Sequence, residues 1–331
     1  MIHLDAGNRI VAETITSQLS SETRYAVDVT AADHNDVLYK VASDMGSTHL
    51  VLVSVFVPCF AEVIEQVGPG YLASRYGELL RPTAECGFSL SLLLDLDALA
   101  AATEARRAEV ITLASCVRRD IEGAALWVCF GALLHRTPVA RPLFVAHVRP
   151  GEPMFVVPAA DRVVVIFALA FTDPTELALA SIFLQELEVV RRTERSLATA
   201  PLVSLSPRPP MELEPFAQQL DVAAGAPLGF LSFALSVRHL EGPGRLEKAV
   251  GMVGSYRSYV LYHVKCTKSN MHSRMRARVN GWLQVLNRAV PDRHGVERKT
   301  IGGRTFKRTG TGSMPVAVGS LSLSDAGQLA A

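Results

Sequence analysis

The chain has 331 residues, of which 49% are hydrophobic and 20% are charged, and its net charge at neutral pH is +1. This composition is typical of a soluble globular protein of about two domains. The N-terminal sequence MIHLDAGNRI has no basic flank followed by an apolar core, which argues against a secretory signal. The longest apolar run, residues 163–171, has about half the length that a bilayer crossing needs, so we expect a buried strand and no membrane insertion.

Five cysteines are scattered along the chain without a Cys-x-x-Cys pair: Cys59, Cys86, Cys116, Cys129 and Cys266. An odd number of isolated cysteines argues against a disulfide framework, and reduced thiols are typical of the cytosol. We therefore expect a cytoplasmic protein.

In the first half of the chain, apolar runs rich in β-branched residues predict three strands, a helix, two further strands and a long helix-prone stretch. These elements fall, in this order, at 26–32, 37–43, 49–56, 58–68, 77–82, 87–95 and 97–134. The predicted order is β-β-β-α-β-β-α.

The second half repeats this order. Its predicted elements are three strands, a helix opened by Asp173 and Pro174 as cap and first turn, two more strands and a long terminal helix. They fall at 143–149, 154–158, 162–171, 175–195, 202–206, 228–238 and from residue 246 onward.

The doubled pattern predicts an α+β protein with two domains of similar fold, each an antiparallel sheet flanked by helices, and a long C-terminal helix. We predict a first domain at 1–136 and a second at 137–308, which ends in the long helix at 246–290. The low-complexity tail at 309–331 is expected to be disordered.

No motif for catalysis, metal binding or cofactor binding stands out. His263 and Cys266 have the spacing of half a zinc site, but the sequence offers no second pair of ligands. Glycine clusters at 68–77 and 251–255 lack the lysine and the strand-loop-helix context of a phosphate-binding loop. We predict that the protein is not an enzyme and uses no cofactor.

Basic residues are concentrated near the C-terminus. Between residues 263 and 308 there are twelve Lys and Arg against Asp292 and Glu297, a net charge of +10, so the rest of the chain carries −9. This asymmetry indicates a surface for a negatively charged partner. Composition alone leaves open whether that partner is nucleic acid, membrane or an acidic protein.

The long terminal helix has an apolar stripe that one domain cannot cover. At 1.5 Å per residue its length is about 65–70 Å. Arg257 and Lys268 project near its middle. An interface with another chain whose carboxylates pair with these two cations would explain their position. The alternative is that both side chains reach out to water. The stripe consists of Val264, Met271, Met275, Val279, Trp282 and Leu286.

The same region resembles a known family. Residues 259–292 read YVLYHVKCTKSNMHSRMRARVNGWLQVLNRAVPD, and residues 299–306 read KTIGGRTF. These segments closely resemble the C-terminal signature of the subunit 2 family of the actin-related protein 2/3 complex. The resemblance extends upstream through FLQELEVVRR, TAPLVSLSPRPPMEL, DVLYKV and MIHLDAGNRIVAETI.

This resemblance implies a scaffold subunit of the actin cytoskeleton. Such a subunit pairs with subunit 4 through its long helix, assembles with the other subunits, and contacts the side of the mother actin filament during branched nucleation. The implied filament-contact residues are Lys299, Arg304, Arg298, Arg274, Arg276, Arg278, Arg191 and Arg192. The implied partner-subunit interface comprises Arg257, Val264, Lys268, Met271, Met275, Val279, Trp282 and Leu286.

The alternative function is a nucleic-acid-binding module that uses the basic helix. The sequence RMRAR at 274–278, with Trp282 nearby, has the mixture of charge and aromatic residue that such modules use. No groove-reading motif accompanies it, and the rest of the chain is acidic. We therefore favour an acidic protein partner and no nucleic acid.

Overall fold

The computed structural model describes residues 6–21, 23–43, 47–171, 173–197, 199–219, 228–289, 297–299 and 305–307. The chain divides into two compact units, Met1–Lys265 and Cys266–Ala331. Within the described ranges, no helix is long and apolar enough to cross a membrane.

The first half of the larger unit begins with a helix and contains four strands. Its elements are α1 (Arg9–Ser20), β1 (Asp28–Ala32), β2 (Leu38–Ser43), β3 (Leu50–Phe56), α2 (Phe60–Val67), α3 (Gly70–Tyr76) and β4 (Leu90–Asp95). The strands form an antiparallel sheet in the order β1-β2-β3-β4. In β3 the alternate residues Val51, Val53 and Val55 are buried, as the two-residue period of a strand requires.

Four helices follow this sheet where the sequence predicts one helix-prone stretch. They are α4 (Leu96–Ala101), α5 (Glu104–Ser115), α6 (Val117–Glu122) and α7 (Ala124–His135). Asp95 and Thr103 cap the first two by accepting hydrogen bonds from backbone amides. Gly123 separates the last two, and a Cβ at this position would lie 2.9 Å from the Val250 side chain. A glycine is therefore needed for the close approach of the chain at Val250.

The second half of the larger unit contains a five-stranded antiparallel sheet. Its elements are β5 (Phe144–Arg149), β6 (Glu152–Pro158), β7 (Arg162–Ala170), α8 (Pro174–Thr193), β8 (Leu202–Ser206), β9 (Leu228–Ser236), α9 (Val237–Leu240) and α10 (Arg245–Ala289). The strand order is β5-β6-β7-β9-β8. The last helix continues into the second unit beyond Lys265.

The central strand β7 is buried on both faces. Val163 and Val165 join the main core cluster, which includes buried residues of α8 and α10. Val164 and Ile166 pack on the opposite face with Leu213, which belongs to the 3-10 segment Met211–Gln219. This two-sided burial accounts for the continuous apolar run at 163–171.

Helix α2 joins the two halves by capping the outer edge of β5. The Gln66 side chain accepts a hydrogen bond from the Val145 amide at 2.7 Å and donates one to its carbonyl at 2.6 Å. Glu62 accepts from the His147 amide at 2.9 Å and lies 2.7 Å from its imidazole Nδ1. These side chains satisfy edge groups that a neighbouring strand would otherwise pair.

The predicted fold class is confirmed, with two antiparallel sheets flanked by helices and a long C-terminal helix. Both sheets belong to the larger unit. The domain boundaries after residues 136 and 308 stay predictions, and the tail at 309–331 lies outside the described residues.

The strand predicted at 77–82 is wrong. Gly77–Leu79 form a short 3-10 turn, and Leu80 makes a single antiparallel bridge with Leu92 of β4. Gly77 has a φ of 53°, which an extended strand does not tolerate, and Pro82 has no amide hydrogen to donate. In the second sheet, β8 pairs with the outer edge of β9. The bridge at Leu80 occupies the corresponding position beside β4, so the fifth strand of the first sheet is reduced to one residue pair.

Helix α1 was not predicted from the sequence. Asn8 caps it by accepting a hydrogen bond from the Val11 amide, and only Val11, Ile15 and Gln18 are buried along it. Three buried positions in twelve residues give too little apolar periodicity to predict a helix from the sequence.

The second unit contains the end of α10 and a short hairpin. Strands β10 (Glu297–Lys299) and β11 (Thr305–Lys307) pair antiparallel, with Arg298 opposite Phe306.

Candidate interaction surfaces

The first turns of α10 are anchored in the core of the larger unit. Val250, Val260 and Val264 are at most 2% exposed, because they lie on one face of the helix and pack in the main cluster. The rings of Phe183 and His263 stack at 5.7 Å between α8 and α10. Val264 of the predicted interface is therefore part of the core.

Arg257 is also buried, at 5% exposure. Its guanidinium pairs with the carboxylate of Glu152 on β6, which in turn accepts a hydrogen bond from the Ala170 amide at 2.9 Å. Burial, with a smaller contribution from nearby Arg149, lowers the pKa of Arg257 to about 10, so the side chain is cationic at neutral pH. The carboxylate that neutralises Arg257 thus comes from the same chain.

A second buried cluster lies beside this pair. Arg118 of α6 lies 3.3 Å from the Asp33 carboxylate and 3.5 Å from that of Glu122. Asn35 donates to Glu122 at 3.0 Å and accepts from Arg149 at 3.0 Å. Because Arg149 lies on β5 and Glu122 on α6, these bonds connect the two halves of the larger unit; we name this set the junction cluster.

Burial dominates the electrostatics of Glu122. It raises the pKa of this carboxyl to about 7, although Arg118 and the hydrogen bond from Asn35 act in the opposite direction. The fraction of Glu122 that is protonated in the folded protein therefore changes with pH near neutrality.

In the second unit, α10 exposes the apolar stripe that the sequence predicts. We name these residues the distal stripe; their exposed fractions are 38% at Met271, 58% at Met275, 53% at Val279, 65% at Trp282 and 57% at Leu286. Their spacing of three or four residues places them along one side of the helix. Exposed large apolar residues in such a row are typical of a surface that binds another protein.

Basic side chains flank this stripe. Arg274, Arg276 and Arg278 are exposed, and none of them has a carboxylate within ion-pair distance among the residues that the structure describes. Lys268 differs from these three arginines, because its side chain is half-buried and interacts with another group of the protein. The three arginines are thus available to an acidic surface.

The remaining predicted contact residues lie elsewhere. Arg298 and Lys299 belong to β10, for which only the backbone is described, and Arg304 lies outside the described residues. Arg191 and Arg192, in the last turn of α8, both pair with Glu188, at 3.1 and 2.8 Å. The helix spacing of these pairs makes them ordinary surface ion pairs.

Sequence patterns did not reveal the junction cluster or the partner of Arg257. Asp33, Glu122 and Glu152 are far apart in the chain, and nothing in their neighbours marks them as buried. In the described part of the chain, no group of three or more His, Cys, Asp or Glu could hold a metal ion.

Comparisons with known proteins agree with the sequence resemblance. Residues 53–293 match the family model described as Arp2/3 complex, 34 kD subunit p34-Arc. The chain is 30% identical over 310 residues to actin-related protein 2/3 complex subunit 2 of Dictyostelium discoideum, a match that covers 93% of this chain and 100% of that protein. It is 30% identical over 325 residues to the subunit 2 protein of Schizosaccharomyces pombe, with the same coverages. The chain therefore belongs to the p34-Arc family, the 34 kD subunits of the actin-nucleating Arp2/3 complex.

Proposed function

We propose that this chain is a non-catalytic scaffold subunit that pairs with subunit 4 of the Arp2/3 complex through the distal stripe of α10. In the assembled complex it lies beside the other subunits in the cytoplasmic actin cytoskeleton and contacts the side of the mother filament during branched nucleation. The observation that supports this proposal best is the row of exposed apolar side chains on α10.

The energetic argument starts from the exposure of this row. Burying a large apolar side chain contributes roughly 1.5–3 kcal/mol, so covering the five side chains of the distal stripe is worth on the order of 10 kcal/mol. Part of this offsets the loss of translational and rotational freedom on association. A protein partner that covers the stripe would therefore be bound tightly, because it removes this apolar surface from water.

The anchored and exposed parts of α10 have separate roles in this proposal. Val264 and Arg257 hold the helix to the larger unit, since both are buried there. Met271, Met275 and Trp282 then supply the apolar contacts to subunit 4, and Lys268 lies at the edge of that seam.

The scaffold role is supported by what the buried charged groups do. Asp120 is paired with Arg75 at 2.9 Å and with Arg119 at 2.8 Å, and Glu152 is paired with Arg257. Buried carboxylates that are paired with arginines in this way do not resemble a general acid or base that faces a substrate.

The filament contact is assigned to the basic residues near the C-terminus. Arg274, Arg276 and Arg278 are exposed and uncommitted within the described residues, and Arg298, Lys299 and Arg304 follow them in the chain. A cluster of this kind attracts an acidic protein surface. Arg191 and Arg192 are weaker candidates, because Glu188 already neutralises part of their charge.

Trp282→Ala tests the interface with subunit 4. We expect it to weaken assembly of the two co-expressed subunits by about 2–4 kcal/mol, since truncating a central interface tryptophan removes a large buried area. Affinity can be measured by analytical ultracentrifugation or biolayer interferometry. Met211→Ala is the matched control, because Met211 is 78% exposed in the larger unit.

Equal loss of assembly in both variants would indicate a general defect in folding. Unchanged assembly of Trp282→Ala would contradict the proposed use of the distal stripe. Binding of duplex DNA by the wild-type complex, at the expense of filament binding, would favour the nucleic-acid alternative.

A further inference from the structure

An apolar groove lies in the larger unit between the start of β8, the end of β9 and the first turns of α10. Its volume is about 480 Å³, which is within the range of pockets that bind ligands or anchoring side chains. Its apolar walls are formed mainly by Pro201, Val203, Phe233, Leu235, Met252 and Tyr256.

The groove is formed in advance of any ligand. On its floor, the Tyr256 and Phe233 rings pack edge to face at 4.7 Å. On its wall, His239 Nδ1 accepts a hydrogen bond from the Ser236 amide at 2.9 Å, so Nε2 carries the hydrogen and donates to the Thr199 carbonyl at 3.0 Å. Burial, and then Arg238, lower the pKa of His239, which keeps this neutral arrangement at physiological pH.

Two cations without carboxylate partners line the groove. Arg245 and Lys248 both contact it, and neither has an ion pair within the part of the chain that the structure describes. Glu247 lies between them in sequence, but it points to Arg119, with which it pairs at 3.0 Å. Other arginines of the same unit, such as Arg118, are matched by acids of their own chain.

These features complement an anionic and apolar ligand. Arg245 and Lys248 are one helical turn apart, so their charges are best met by two separate carboxylates and not by one. An apolar side chain between acidic residues provides both the carboxylates and the group that fills the groove. A peptide offers this combination within a few residues.

We propose that this groove binds an acidic segment of a partner protein, with one bulky apolar side chain in the groove and carboxylates beside Arg245 and Lys248. The site is separate from the distal stripe and from the C-terminal basic residues, so it does not rest on the proposed pairing with subunit 4 or with the filament.

The test uses the assembled complex that contains this chain. The probe is a fluorescein-labelled peptide with one Phe between two pairs of Glu, and its binding is followed by fluorescence anisotropy. We expect Arg245→Glu with Lys248→Glu to weaken binding by at least about tenfold, because two attractions become repulsions. Met252→Glu, which places an acid in the exposed part of the groove, should have a similar effect.

The matched control is Arg208→Glu, an exposed arginine outside the groove lining, which should change the affinity less than about twofold. The corresponding peptide with Ala in place of Phe should bind at least about tenfold more weakly. Equal binding of the Phe and Ala peptides, equal affinity of the double variant, or absence of peptide binding by the wild-type complex would overturn the proposal. Binding of dodecanoate without binding of the peptide would also overturn it, in favour of a small amphiphile.

Discussion

At the scale of single residues, the junction cluster shows how a sequence of ordinary polar residues produces an unusual environment. Glu122 is 7% exposed, and its neighbours are Arg118 on its own helix, Asp33 and Asn35 from the loop before β2, and Arg149 from β5. Removing water from the carboxylate outweighs the attraction of Arg118, so the pKa rises.

The raised pKa of Glu122 predicts a pH dependence of stability. In the folded protein the pKa of Glu122 is about 7, whereas in the unfolded chain the carboxyl has its ordinary pKa of 4.5 and releases the proton there. The folded state therefore binds more protons between these values, and the free energy of unfolding falls as pH rises through this window, by roughly 3 kcal/mol at most. Glu122→Gln should flatten this decline.

Melting temperatures of the assembled complex, recorded from pH 4.5 to 8, measure the effect. Glu188→Gln is the control, because Glu188 pairs with Arg191 and Arg192 on the surface and lies outside the junction cluster. A pH slope that is the same in the wild type and in Glu122→Gln would show that Glu122 does not titrate in this range.

At the scale of secondary-structure elements, α10 depends on a close approach to the α6–α7 junction. A Cβ on Gly123 would lie 2.9 Å from Val250 Cγ1 and 2.7 Å from the Arg119 carbonyl oxygen. Contacts shorter than 3 Å force a shift of one partner, and the backbone carbonyl cannot move as easily as a side chain.

Gly123→Ala is expected to destabilise the larger unit by about 1–3 kcal/mol through overpacking. In a Val250→Ala background, Gly123→Ala should cost less but still destabilise, because the clash with the Arg119 carbonyl remains. A double-mutant cycle from urea unfolding gives the coupling between the two positions. Additive effects of the two substitutions would show that α10 does not press on Gly123.

At the scale of the whole molecule, charge is segregated along the chain. The segment at 263–308 has a net charge of +10, and the rest has −9. Such a distribution favours fast association with an acidic partner, at a rate that falls as salt is added. The filament proposal therefore makes a prediction about ionic strength as well as about particular residues.

Lys299→Glu with Arg304→Glu should leave the complex assembled and reduce its binding to the side of actin filaments and its branch formation. Each exposed charge contributes roughly 1 kcal/mol or less, so the reversal acts together with the helix arginines. Wild-type binding should weaken with salt, since screening acts over about 8–10 Å. Co-sedimentation across a salt series, with gel filtration of the complex, measures both.

Filament binding that is normal in the double variant would remove these two residues from the contact. An affinity that does not change with salt would argue against an electrostatic contact altogether. Glu188→Lys serves as a further comparison, because it releases Arg191 and Arg192 from their ion pairs and should strengthen binding if α8 contributes.

The sequence by itself predicted most of the strands, the long helix and the family. The period of apolar residues predicted both sheets and the long helix, because side-chain alternation depends only on the backbone geometry of each element. The same reasoning found the distal stripe, because the spacing of its residues along one helix is enough to place them on one side. It failed at 77–82, where a positive φ at Gly77 and the chain's path leave Leu80 with only one bridge.

Only the tertiary structure decided which charged and polar side chains are buried or half-buried and which groups they contact. Arg257 finds Glu152, and Gln66 finds the edge of β5, across separations of 105 and 79 residues. The groove beside Arg245 likewise exists because β8, β9 and α10 converge there. Pairings of this kind depend on where distant segments of the chain come together. The local sequence does not specify those places, because a polar side chain is as well solvated in water as it is when paired in the interior.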